Sequence, residues 1–250
     1  MSSFVLVHGS WHGAWCWYNI VARLRALGHY VDAVEMPGHG RDWTPSAAVT
    51  IDDYTERIHT AIDRAPGPVT LVAHSRGGLA ITQAAEGKHD RILVLVYLAA
   101  YLLADGQSVL DVAPADTDSL VLPNLDVDAE GHWDMLREEA FDETLYADCS
   151  EDDVALSHAL LTPEPLAPSK ARMKLSEKRY GSIPRVYIEL TEDRAVTPVL
   201  QRRMSTDVPC DEVRSIAASH SAYFSKPDEL AAHLDEIAAG AYRKVLPSPR

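Results

Sequence analysis

The sequence predicts an α/β fold: a mostly parallel sheet of about six strands, helices on both faces, and a helical insertion over one edge. Three observations lead there. Short runs that are apolar almost throughout, at 4–7, 69–73 and 91–98, alternate with longer segments whose apolar residues recur at helical spacing. Strands without polar alternation are buried on both faces, as in a parallel sheet covered by helices. Residues 103–182 break the alternation, being acidic and dotted with proline, and read as a lid inserted into one domain spanning 1–250. A chain of 250 residues fits one such domain.

The elements follow in order. Residues 4–7 form the first strand, ending at His8-Gly9. Residues 15–27 carry Ile20, Val21, Leu24 and Leu27 on one helical face, with Gly28 as the C-cap. A second strand at 30–34 runs into the loop Met36-Pro37-Gly38-His39-Gly40. The helix at 51–65 places Asp52 and Asp53 in its first turn, where they suit the helix dipole, and stops at Pro66-Gly67-Pro68. A strand at 69–73, a helix at 77–86 and a strand at 91–98 come next. Within the insertion, 133–139 and 151–161 read as helices. Strands at 185–190 and 212–216 precede a closing helix at 228–242, with Leu230, Leu234 and Ile237 on one face.

A net charge of −14 opposes nucleic acid as a partner and fits a solubilising surface. Cys16, Cys149 and Cys210 are odd in number, far apart and without a C-x-x-C, which argues against a disulfide framework or zinc site. The N-terminus has no basic segment ahead of its apolar run, and the longest apolar stretch, 92–104, is too short to span a bilayer. The expectation is a cytoplasmic protein without a membrane partner.

Chemistry concentrates in Ala73-His74-Ser75-Arg76-Gly77-Gly78. This is G-x-S-x-G with Ala73 in place of the first glycine, set between a strand and a helix. A serine on so tight a turn projects its hydroxyl from the sheet edge, and its neighbours must be small. The competing reading is a helix N-cap serine in a Rossmann-like sheet. At the end of the first strand, His8-Gly9-Ser10-Trp11-His12-Gly13 offers Gly9 as room for an acyl oxygen. The Ser10 N–H, with the Arg76 N–H, is the candidate oxyanion donor. His8 and His12 lack an accompanying carboxylate or thiol set and read as structural, so no metal is expected. The base should come late in the chain. His220, in Ser219-His220-Ser221, follows the last strand, whereas His233 lies within the final helix and reads as solvent-facing. The acid should follow the preceding strand, where Asp193 is preferred and Glu192 is its rival. Asp193 acting only as a cap of the next helix is the alternative.

These residues, with His8 to Trp15, Gly38-His39-Gly40-Arg41-Asp42, Tyr97-Leu98-Ala99-Ala100, Thr191-Glu192-Asp193 and Phe224-Ser225-Lys226-Pro227, resemble the hydroxynitrile-lyase-like branch of the α/β-hydrolases. That branch includes plant methylesterases and bacterial esterases. The resemblance covers nearly the whole chain. It implies an α/β-hydrolase fold with a mostly helical lid, Ser75, His220 and Asp193 as a triad, and Ser10 and Arg76 amides as the oxyanion hole. It also implies a serine esterase for small carboxylic esters working without a cofactor, and a homodimer in many members. Hydroxynitrile lyases carry lysine and threonine where this chain has Ser221 and Gly9, which weakens the lyase reading. Arg76 stands where the family has an uncharged residue. Its guanidinium either binds substrate or pairs with an acid of the lid or sheet edge. Trp11 and Trp133, with Gly9 and Ser221, are candidate pocket residues, and Leu120, Leu125, Leu160 and Tyr146 are further wall candidates. A tailoring hydrolase or lyase on the same triad, or a small-molecule receptor with weak turnover, are the alternative functions.

Overall fold

The computed structural model describes residues 1–245, with side chains to 241. Strand β1 (Ser3–Val7) is buried along its length. Alternate residues serve opposite faces: Val5 and Val7 join one core cluster, Phe4 and Leu6 the other. The expected first helix is a single 3₁₀ turn (Ala14–Trp17) followed by α1 (Tyr18–Ala26), after which Gly28 takes φ +84°. Then come β2 (Tyr30–Val34) and α2 (Ile51–Arg64). Thr50 caps α2 by accepting from the Asp53 N–H, while the Asp53 carboxylate accepts from the Thr50 N–H, a reciprocal capping box. Strand β3 (Val69–His74) leads into α3 (Gly77–Lys88), and β4 (Ile92–Leu98) follows.

Between β4 and the next strand of the main sheet lies the insertion. It holds α4 (Val109–Val112), β5 (Leu125–Asp128), β6 (Trp133–Leu136), α5 (Phe141–Leu145), α6 (Glu151–Leu160), β7 (Glu164–Pro165) and α7 (Leu166–Lys170). The expected helix at 151–161 is present as α6. The one expected at 133–139 is not: this segment is β6, the central strand of a small antiparallel sheet ordered β5-β6-β7. The insertion is therefore mixed, not mostly helical. A four-residue strand whose inward face begins with Asp134 displays no apolar alternation, so its period could not be read.

The chain re-enters the main sheet at β8 (Arg185–Leu190), passes through α8 (Pro198–Asp207) and β9 (Glu212–Ile216), and closes with α9 (Ala222–Ser225) and α10 (Pro227–Val245). The six main strands are parallel and ordered β2-β1-β3-β4-β8-β9. The chain thus moves from β1 to one edge and returns past it to β3. Loops leaving β1 and β3 diverge there, and this crevice at the C-terminal strand ends is where open α/β sheets bind ligands. Helices α1 and α10 pack on one face, α2 and α3 on the other. Leu230, Leu234 and Ile237 of α10 are buried as expected. Among the described residues no helix is long and apolar enough to cross a membrane, and all three cysteines are free.

Candidate active site

Ser75 sits between β3 and α3 at φ +53°, a left-handed conformation that non-glycine residues rarely adopt. Its backbone is tied on both sides. The Ser75 N–H donates to the Leu98 carbonyl at 3.2 Å, and its own carbonyl accepts from Gly78 and Tyr101 N–H groups at 3.1 and 2.9 Å. The small neighbours are required sterically. A Cβ at Gly77 would lie 2.4 Å from the His8 carbonyl oxygen, and one at Gly9 would lie 2.7 Å from the Ser75 Cβ.

His220 and Asp193 arrive from loops after β9 and β8. His220 Nε2 lies 3.0 Å from Ser75 Oγ, and its Nδ1 lies 2.7 Å from Asp193 Oδ2. With Asp193 accepting at Nδ1, Nε2 is left to accept the serine proton. Asp193 is held in turn: Oδ1 accepts from the Ala195 and Val196 N–H groups at 2.7 and 3.0 Å. Glu192, the rival, is exposed. All three members of the Ser75–His220–Asp193 chain are buried. His74, whose role the sequence did not reveal, donates from Nε2 to the His220 carbonyl at 2.8 Å, so the strand bearing the serine also holds the base. Burial, and then the His220 charge, push the His74 pKa well below the usual range.

The Arg76 N–H follows Ser75 in the turn, and the Ser10 N–H follows Gly9, where an added Cβ would meet that of Ser75. Neither finds a hydrogen-bond partner among the described residues, although both residues are buried. Buried backbone donors without partners are rare, and a pair beside a serine hydroxyl suits a developing oxyanion. The peptide units around Ser10 are pinned by side chains. His8 Nδ1 donates to the Gly9 carbonyl at 2.8 Å while Nε2 accepts the Met36 N–H at 3.2 Å. His12 Nδ1 donates to the Ser10 carbonyl at 2.7 Å while Nε2 accepts from Tyr146 and Tyr223 hydroxyls at 2.7 and 3.1 Å. Each ring is fixed in one neutral tautomer. Burial is the chief reason that the His8 pKa falls to about 3 and that of His12 to about 4. His233, expected at the solvent, is only partly exposed and accepts from Arg214 at 3.0 Å.

Four carboxylates of the insertion hold four of the loops that build this site. Asp116 accepts from the Thr197 N–H at 2.8 Å and from its hydroxyl, fixing the loop of Asp193. Asp148 accepts from the Ser219 N–H at 3.1 Å and from its hydroxyl, fixing the loop of His220. Glu164 Oε2 accepts from the Trp11 N–H at 3.2 Å and pairs with His39 at 3.0 Å, while Oε1 accepts from the Tyr54 hydroxyl at 3.2 Å. Trp11 itself lies at φ +63°, and its carbonyl accepts from the Thr162 N–H at 2.8 Å. Burial would raise the Glu164 pKa, but the charge and hydrogen bond of His39, and then the Arg76 charge, outweigh it and hold the carboxyl at about 2. Asp134 pairs with Arg76 Nη1 at 2.7 Å through Oδ2 and accepts from Trp11 Nε1 at 3.0 Å through Oδ1. Of the two roles open to the Arg76 side chain, it takes the pairing with an insertion acid. Its guanidinium also lies 5.4 Å from the Trp11 ring centroid.

A cavity of about 240 Å³ adjoins the serine turn, walled by Arg76, Tyr101 and Asp134 and otherwise mostly by aliphatic residues of the insertion. Of the expected wall residues, Leu125 lines it and Trp133 does not. Trp133 faces a separate groove with Met135, Phe141 and His158. Alternation along β6 explains this: Asp134 and Leu136 are buried, whereas Trp133 and Met135 are only partly so. Ser221 is also absent from the cavity, being fully buried with its hydroxyl 3.0 Å from that of Tyr223. Trp11 lies behind Arg76, and Gly9 borders a small void with His8, Ser10 and Arg76. Leu120 and Leu160 do not line the cavity, and Tyr146 is committed to His12.

Comparison with known proteins agrees with this arrangement. Residues 4–233 match the Alpha/beta hydrolase family. The chain is 34% identical over 250 residues to Methylesterase 7 of Arabidopsis thaliana, covering 94% of this chain and 95% of that protein. It is 33% identical over 247 residues to Putative methylesterase 11, chloroplastic, of the same plant. That match takes in 94% of this chain, which spans about six-tenths (63%) of that relative's length. The structure of tomato Methylketone Synthase I complexed with 2-tridecanone superposes with a TM-score of 0.86 at 31% identity, covering 96% of this chain and 98% of that one. The chain belongs to the α/β-hydrolase family, in its plant methylesterase-like branch.

Proposed function

We propose that the protein is a serine carboxylesterase that hydrolyses small carboxylic esters through an acyl-enzyme. The observation that carries this reading is the unbroken relay from Ser75 Oγ to His220 Nε2 at 3.0 Å and from His220 Nδ1 to Asp193 at 2.7 Å. His220 takes the Ser75 proton as the oxygen attacks the ester carbonyl, and Asp193 steadies the resulting imidazolium. The oxyanion accepts from the Ser10 and Arg76 N–H groups, each worth about 3 kcal/mol of barrier. His220 returns the proton to the departing alkoxide. It then activates a water that attacks the acyl-enzyme, and the carboxylic acid leaves with Ser75 restored. Names of the relatives support ester chemistry, and no step of this sequence calls for a cofactor. Ser221, buried and uncharged, offers no cation for a leaving cyanide, which favours hydrolysis over lyase chemistry. Turnover of p-nitrophenyl acetate by the wild type, lost in Ser75→Ala, is the expected result. Slow turnover coupled to tight ligand retention would instead favour a receptor.

A further inference from the structure

The cavity beside the serine turn has an unusual charge pattern. Val109, Ala113, Val121, Leu125 and Leu166 line it, and its aliphatic residues Leu110, Leu122 and Val127 are about half-exposed. Its charged lining residues are Arg76, Asp134 and Lys170. Lys170 is exposed, so solvent screens it. Arg76 is buried, and an unpaired guanidinium beside a nucleophile would offer a place for a substrate carboxylate. Here that place is taken. Asp134 neutralises Arg76 at 2.7 Å and is itself anchored by Trp11 Nε1, while the ionised Glu164 lies on the other side of Trp11. Tyr101 lies on the same wall. Burial chiefly drives its pKa up to about 12. Arg76 pulls it down, but Asp116, Asp193 and Asp134 all push it up. A second carboxylate entering this wall would lose water and find its one buried cation already paired.

We propose that the cavity takes the apolar acid chain of uncharged esters, and that Asp134, by occupying Arg76, turns away chains ending in a carboxylate. This names the substrate class of the esterase reading above and rests on it. Asp134 is a specificity-determining residue here, because it acts on the chain through Arg76 and not on the reacting carbonyl.

The test compares methyl hexanoate with monomethyl adipate, two esters of near-equal length of which only the second carries a terminal carboxylate. Wild-type kcat/KM should favour methyl hexanoate by at least about 100-fold, and Asp134→Asn, which frees the guanidinium, should narrow that ratio at least tenfold. A merely structural ion pair would lower both rates together and leave the ratio where it was. Should Asp134→Asn fail to fold, Asp134→Ser, which frees the guanidinium and keeps an acceptor for Trp11 Nε1, should narrow the ratio likewise. A wild-type ratio below about threefold, or an unchanged ratio in the folded variant, overturns the proposal. So does a wild type that turns over phenyl acetate but neither methyl ester. Failure of the esterase reading has a different signature: wild-type protein that neither turns over phenyl acetate nor takes a fluorophosphonate at Ser75.

Discussion

The site is built from two regions of different character. The C-terminal edge of the parallel sheet supplies Ser75, His220, Asp193 and the Ser10 and Arg76 N–H groups, each delivered by a loop after a strand of that sheet. The insertion supplies no member of that relay. It supplies carboxylates that hold the relay's loops, and the aliphatic wall beside it. Sheet-edge geometry follows from backbone topology, whereas the insertion's grip depends on individual side chains reaching across to distant loops. Chemistry and fold stability should therefore separate under mutation. Sheet-edge substitutions should remove turnover with little stability cost, and insertion substitutions should cost stability first and activity second.

The largest effect expected is that of Ser75→Ala, a loss on the order of 10⁶-fold in kcat with a thermal midpoint equal to or above that of the wild type. Steady-state kinetics and melting curves on one preparation read both halves of that statement. Asp193→Asn should lower kcat by about 10⁴-fold, because an amide leaves the imidazole in the wrong tautomer. If either variant instead unfolded, the proposed separation between the regions would break.

Glu164→Gln probes the other region. Removing one partner of the buried Glu164–His39 pair should destabilise by about 3–5 kcal/mol, and loosening Trp11 should lower kcat by roughly tenfold. Denaturant unfolding monitored by tryptophan fluorescence checks the first, and ester kinetics on the folded fraction the second. Loss of activity without loss of stability would blur the distinction between holding and reacting groups.

A smaller effect concerns pH. His8 and His12 titrate at about 3 and about 4 in the fold and at 6.5 when unfolded, so the unfolded chain binds the protons first. Stability is therefore present above pH 6.5 and lost on acidification, by up to about 1.4 kcal/mol per pH unit for each ring. His39, raised by Glu164 once burial is outweighed, has the opposite sign, but its contribution is already complete below pH 6.5. The Glu164 carboxyl, held at about 2, adds its loss only as pH falls below 4.5. Melting temperature should therefore drop steadily from pH 6.5 to 5, before carboxylates enter. His74, also pushed well below the usual range by burial, acts in the same direction, so a flat profile there would mean that these buried rings are not held neutral.

Legibility in the sequence divides along the same line. Strands such as Val69–His74 are continuous apolar runs, and the serine turn carries small residues that only close backbone approach demands, so both could be read directly. The placements of His220 and Asp193 followed from chain order in the fold. Asp134, Glu164, Asp116 and Asp148 could not be found this way. An acidic residue in an acidic segment looks like surface, and nothing local says which carboxylate is buried against Arg76 or Trp11. Trp133 misled for a related reason: a large aromatic suggests a pocket wall, but alternation along β6 turns it outward and Asp134 inward. His74 was visible in the motif, yet its bond to the His220 carbonyl spans 146 positions and leaves no local pattern.

Intact-mass analysis after reaction with a fluorophosphonate, followed by peptide mapping, reports on the Ser75–His220 pair itself. One adduct per chain is expected, on the peptide containing Ser75, absent in Ser75→Ala and formed at least about 100-fold more slowly in His220→Ala. An adduct that persists in Ser75→Ala, or forms at an undiminished rate without His220, would contradict the relay.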